Sequence, residues 1–204
     1  EGTFNVTAYA PPVQEEVRVV NNQMTKFVIV SGPLIRPIEG QYANYTLLLI
    51  NGYPGEIISI EKWNFTYARY ISPTHINITV WIRTQEGFEQ TSWMIVNTLT
   101  RYVESGMWVG SYYQGWIETD ISIGSTINLQ DGTATVVGSR IIQWGIRPID
   151  CWELLTDYGG RFWYDKRTGL WVNMEVYLPP WWRQTISLDT TNVPIGLEHD
   201  LSVW

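Results

Sequence analysis

Few residues in this chain have the type and spacing to do chemistry. The carboxylates that fall on inferred strands are Glu61, Glu118, Glu153 and Glu175. Two of them across a cleft would suffice for glycoside hydrolysis, one protonated as acid and the other acting as base or nucleophile. Nothing in their spacing singles out a pair. Glu61 and Glu118 sit beside Lys62 and Thr119 at strand ends, where a solvated face is the ordinary role. Cys151, the only cysteine, follows an apolar stretch and precedes Trp152; with His75 and His199 the only histidines, it reads as a small buried hydrophobe rather than a nucleophile. The chain has no HExxH, CxxC or DxDxDG pattern, and Asp120, Asp131, Asp150, Asp157 and Asp165 stand alone in turns, so no metal is expected. GxxxxGK[ST], GxGxxG and GxSxG are missing as well. No cofactor and no catalytic residue are expected, and the chain reads as a non-enzyme.

A different chemistry is written four times. Asn5-Val6-Thr7, Asn44-Tyr45-Thr46, Asn64-Phe65-Thr66 and Asn77-Ile78-Thr79 are acceptors for N-linked sugar. All fall in the first 80 residues, in Thr-rich stretches that read as strands. On a strand the Asn and the Thr two places on share a face, which must meet solvent if it carries a glycan. Asn5, Asn44, Asn64 and Asn77 are therefore the expected glycosylation sites.

Composition narrows the class. Of 204 residues 45% are hydrophobic, 16% charged and 14% aromatic, with 12 Trp and 12 Tyr. The apolar share supports a packed core; the charged share is low for a soluble domain. A net charge of −7 argues against a nucleic-acid partner, which needs a basic face to displace counterions. No apolar run reaches the length of a spanning helix, so no membrane span is expected. Lys26, Lys62 and Lys166 are the only lysines. A surface built from hydroxyls, amides and rings changes little when carboxylates are protonated, which suits an acidic extracellular setting. The start at Glu1, without a charged and apolar leader, is what a secreted protein with its signal peptide removed would show.

The elements that position these residues alternate with period two between turn signals. Strands are expected near 3–8, 17–20, 26–31, 45–50, 57–67 and 77–83. Thr126 to Leu129 and Thr133 to Val137 flank Asp131-Gly132, the strongest hairpin signal in the chain. Phe162-Trp163-Tyr164 and the run from Leu170 flank Asp165-Lys166-Arg167-Thr168-Gly169, where Asp can accept backbone N–H bonds and Gly169 can take positive φ in a bulge. Residues 91–103 fit either a helix capped by Thr91-Ser92 or a strand; a strand over 98–103 is the reading taken. The sum is an all-β chain of ten to fourteen strands, a single-domain antiparallel β-sandwich or jelly-roll-like barrel over 13–204.

Residues 1–12 stand apart as an alternating strand and a Pro11-Pro12 hinge. Proline fixes φ and removes the N–H, so the pair stiffens and redirects the chain. The strand reads equally as an edge of its own sheet or as a donor that completes the sheet of a second copy, with Phe4, Val6 and Ala8 setting the register. Head-to-tail donation does not close and gives a fibre. The tryptophans are scattered, apart from Pro179-Pro180-Trp181-Trp182, an apolar cluster of the kind that marks an interaction site.

The ordered set Thr100-Arg101-Tyr102-Val103, Trp116-Ile117-Glu118-Thr119-Asp120-Ile121-Ser122-Ile123-Gly124, Asp150-Cys151-Trp152-Glu153-Leu154 and Trp163-Tyr164-Asp165-Lys166-Arg167-Thr168-Gly169-Leu170 resembles archaeal secreted or cell-surface β-domains with a WYDKxTG-type hairpin. Gly124-Ser125-Thr126 departs from the Gly-Asp-Thr expected there. With the N-terminal strand and the sequons, the whole resembles the subunits of archaeal threads. That resemblance implies an extracellular, N-glycosylated structural protein, a homopolymer joined by donor-strand complementation and serving adhesion or biofilm formation. The alternative expectation is a monomeric, secreted carbohydrate-binding β-sandwich module, with a glycoside hydrolase third.

Overall fold

The structure, a computed structural model of the chain, describes residues 2–9, 23–30, 37–51, 55–178 and 182–195. The first two spans are described as backbone strands only. They form β1 (Gly2–Tyr9) and β2 (Gln23–Val30), an antiparallel pair in full register from Gly2↔Val30 to Tyr9↔Gln23. The expected N-terminal strand thus has a partner in its own chain, in a two-stranded sheet of its own. The chain divides into compact units at Ile35/Arg36. The expected division after Pro12, and the strand expected at 17–20, lie outside the described residues.

The second unit is all-β and antiparallel, as the alternation predicts. Its strands are β3 (Tyr42–Asn51), β4 (Ile57–Ser72), β5 (His75–Thr84), β6 (Glu89–Asn97), β7 (Val103–Gly106), β8 (Thr126–Leu129), β9 (Gly132–Trp144), β10 (Arg147–Thr156), β11 (Arg161–Asp165), β12 (Trp171–Leu178) and β13 (Trp182–Thr191). They form one sheet in the order β7-β6-β5-β4-β3-β13-β12-β11-β10-β9-β8. Two meanders, β3 to β7 and β8 to β13, are zipped together along β3 and β13. The strand expected at 98–103 is corrected: β6 occupies Glu89–Asn97, and a turn follows before β7. Thr91, Trp93 and Ile95 alternate with Ser92, Met94 and Val96, and Met94 and Val96 are fully buried, so sheet pairing overrides the helical spacing.

One face of this sheet makes the core. Ala43, Tyr45 and Leu47 of β3, Phe65 and Tyr67 of β4, Ile76, Ile78 and Val80 of β5, and Ile186 and Leu188 of β13 are buried in alternation. The loop 107–125, which joins the two outer strands β7 and β8, crosses this core and buries Tyr113, Trp116 and Ile117. Its middle is held by backbone bonds. Tyr113 N–H donates to the Arg101 carbonyl at 2.7 Å, Ile117 N–H to that of Gly169 at 2.9 Å, and Trp171 N–H to that of Gly115 at 3.0 Å. Two stretches that the sequence sets apart, 116–124 and 163–170, therefore dock on each other through their backbones. Arg101 Nη1 reaches the Asn128 carbonyl on β8 at 2.9 Å, so the two ends of the strand order curl to within one side chain's reach.

The hairpin between β11 and β12 follows its sequence signature. A bulge falls between Trp163 and Tyr164, Gly169 takes φ 69°, and Asp165 accepts from Thr168 N (3.1 Å) and Thr168 Oγ1 (2.5 Å). Asp165 is 2% exposed, and burial holds its carboxyl above the usual range although the Thr168 bonds pull the other way. A carboxyl whose folded pKa lies above its unfolded value binds protons more tightly when folded. Its contribution to stability therefore grows as pH falls through the raised folded pKa, and is complete below the unfolded one. Urea midpoints at pH 7 and pH 3 test this: the stability difference between the native chain and Asp165→Asn moves in favour of the native chain at pH 3.

Candidate functional site

Three of the four sequon asparagines have described side chains. Asn44, Asn64 and Asn77 lie on β3, β4 and β5, half-buried, in alternation with the core positions. Asn44 and Asn64 are cross-strand partners: Asn64 Nδ2 donates to Asn44 Oδ1, and Asn44 Nδ2 to Thr190 Oγ1 at 2.8 Å. Directly paired residues have Cβ atoms about 5 Å apart, so sugars on both would share one patch of surface. The Asn77 Oδ1 is buried without a hydrogen bond among the described residues. Asn5 lies on β1 with Phe4, Val6 and Ala8; their side chains, and Pro11 and Pro12 entirely, are outside the described residues.

The residues with chemical potential have structural partners. Glu61 accepts from Trp63 Nε1 at 2.8 Å, Glu153 pairs with Arg161, and Glu175 pairs with Arg183 at 3.3 Å and accepts from the Tyr177 hydroxyl at 2.9 Å. Glu118 is not at a strand end but in the loop 107–125, where it pairs with Arg101 at 3.1 Å. Cys151 is fully buried, and burial pushes its thiol up, which removes the thiolate a nucleophile needs. His75 is placed by Ser72 and Glu104, at 2.8 and 3.0 Å. His199 lies outside the described residues. No three His, Cys, Asp or Glu side chains are grouped to hold a metal among the described residues. The buried phenols of Tyr45, Tyr67 and Tyr113 are likewise structural. Burial pushes Tyr67 up to about 12, and it shares a 3.3 Å hydrogen bond with Tyr113.

Among the described residues, two features stand out as able to engage something outside the chain. The first is an edge. β8 pairs with β9 only from Gly132 to Thr135, and Val136 bonds to Gly124 and Ser125. Residues 138–144 pair with β10 on one side, Val137 falls in the bulge between Glu153 and Leu154, and among the described residues nothing pairs with the other side of 138–144. This stretch carries one charge, Arg140. Val137 and Ile141 are exposed, Ile141 by 59%, and Ile146 in the following turn by 97%. Edges are ordinarily shortened, charged or covered because open N–H and C=O groups invite another strand.

The second is a cleft of about 370 Å³ at the end of the core face that bears the β8–β9 and β10–β11 turns. Phe162, Met174 and Ile186 are buried core residues that line it. Its other contributors include Trp63 from β4, Gln114 from the loop, Gln130 and Asp131 from the β8–β9 turn, Tyr158 from the β10–β11 turn and Gln184 from β13. The Asp131-Gly132 turn signal places two of these residues. Gln114 and Gln184 carry no local signal, since they meet only when the loop crosses the sheet. Trp182 is 39% exposed, while Pro179, Pro180 and Trp181 lie outside the described residues.

No family model and no curated protein matches this chain. No helix among the described residues is long and apolar enough to cross a membrane. Among solved structures, the chain is similar to a protein from Bacteroides fragilis described as exported and of YmcC-like fold, at 11% identity and a TM-score of 0.40, over 76% of this chain and 97% of that one.

Proposed function

We propose that this chain is a non-enzymatic structural subunit of an extracellular filament of the archaeal thread kind, N-glycosylated, and polymerised by adding its N-terminal strand to a second copy. The observation that carries this reading is the edge at 138–144 of β9, seven residues long, nearly uncharged and open among the described residues. β1, at eight residues, is long enough to cover it and has no charged residue. A two-stranded sheet such as β1–β2 is marginal in water by itself and gains from joining a larger one. Backbone bonds along such a paired stretch supply affinity, and alternate side chains set register. Donor and acceptor are different surfaces, so the contact is heterologous and propagates rather than closing. The low-charge composition and the sequons at Asn44, Asn64 and Asn77 fit a secreted surface protein.

The full chain is expected to form fibres visible by negative-stain electron microscopy. A chain lacking residues 1–10 is expected to remain folded and monomeric. Ile141→Lys, which sets a charge on the open edge, is expected to block elongation in the same way. Fibres that persist in both variants would refute strand addition at this edge.

A further inference from the structure

The cleft at the turn-bearing end of the core face is independent of strand addition, and its lining has a chemistry of its own. We infer that it binds a neutral saccharide of one or two pyranose units. Gln114, Gln130 and Gln184 come from three separate segments and line one space, and their side-chain amides make no hydrogen bond among the described residues. All three are half-buried. A primary amide both donates and accepts, and so does each hydroxyl of a sugar. Amides without a protein partner that face a concave, solvent-accessible space can exchange their water bonds for bonds to such a ligand.

Charge and shape restrict the class further. Among the described residues no Lys, Arg or His lines the cleft, and the one charged residue there is Asp131. A phosphate, sulfate or carboxylate would meet no cation there and one repelling carboxylate. The Trp63 indole is fixed before any ligand arrives: Nε1 is bonded to Glu61 at 2.8 Å, and the ring lies against Phe65 and Trp108 at centroid distances of 6.1 and 6.0 Å. An immobilised aromatic wall, an apolar floor and unpartnered amides suit a ring with C–H faces and an equatorial belt of hydroxyls. The cleft, at about 370 Å³, lies at the small end of the range for small-molecule sites.

The test is calorimetric titration of the full chain with glucose, galactose, mannose, cellobiose and lactose. Saturable one-site binding is expected for at least one of them. Gln184→Ala, a half-buried polar site whose truncation leaves the core intact, is expected to weaken it at least tenfold, and so is Trp63→Ala. Trp93→Ala, exposed on β6 and away from the cleft, is expected to leave it unchanged. No saturable binding to any of the five sugars would overturn the inference. So would binding that survives both cleft substitutions, or glucuronate or glucose 6-phosphate binding more tightly than glucose.

Discussion

Alanine at position 169 lowers the unfolding free energy by about 3–5 kcal/mol, close to the upper limit for a single substitution. Gly169 sits at φ 69°, where any residue with a Cβ is strained by roughly 1 kcal/mol. An added Cβ there would also overlap the backbone carbonyl oxygen of Ile117. Backbone cannot rotate out of the way as a side chain can, so the loop 107–125 must lift from the hairpin. Lifting it breaks the Ile117-to-Gly169 and Trp171-to-Gly115 hydrogen bonds and exposes Trp116 and Ile117, both nearly fully buried. The control is Gly159→Ala, where φ is 83° but nothing lies within 4 Å of the new Cβ. That variant bears the conformational strain alone and is expected to lose about 1 kcal/mol. Urea unfolding followed by tryptophan fluorescence separates the two. Equal losses in both variants would mean that the loop contact contributes nothing.

This contrast marks what local sequence can and cannot specify. The β11–β12 hairpin was legible because its turn is chemically explicit: Asp165 accepts from Thr168, and Gly169 supplies the positive φ. The β8–β9 turn at Asp131-Gly132 was legible for the same reason. Residues 91–103 are rich in β-branched side chains and also fit helical spacing at Ile95, Val96, Leu99, Tyr102 and Val103, so local sequence does not fix where the strand ends; pairing with β5 and β7 does. Local sequence leaves open whether β1 pairs within its own chain or with a second copy, because register between strands some 20 residues apart leaves no short-range trace. The cleft was not legible at all. Its amides gather from the loop, a turn and β13, and the tryptophan that lines it, Trp63, is one of 12 with no local mark to distinguish it. Glu118 reads locally as a solvated carboxylate because its partner stands 17 residues away in sequence.

That partner carries the second large effect. Arg101→Ala is expected to lose about 3–5 kcal/mol, from a partly buried ion pair broken and two backbone carbonyls left without their donor. The Arg101 side chain is 4% exposed, and its guanidinium serves three acceptors: Glu118 Oε1 at 3.1 Å, the Tyr113 carbonyl at 3.2 Å and the Asn128 carbonyl at 2.9 Å. These belong to the loop and to β8, while Arg101 precedes β7, so one side chain ties both ends of the sheet to the loop that crosses its core. By contrast Lys62–Asp189, at 52% and 37% exposure, is worth about 0–1 kcal/mol. Lysine at 101 keeps the charge but lacks the planar fork that reaches separated acceptors, so Arg101→Lys falls between the native chain and the alanine variant. Glu118→Gln loses about 1–2 kcal/mol, since the carbonyls still hold the guanidinium. Backbone geometry supplies a sharper test. Arg101 has φ 61°, a conformation glycine adopts freely, so Arg101→Gly should be more stable than Arg101→Ala by about 1 kcal/mol. Because Gln114 lies on the tethered loop, both truncations should also weaken sugar binding in the cleft. An alanine variant as stable as the native chain, by urea midpoint, would show that the sheet stays curled without this tie.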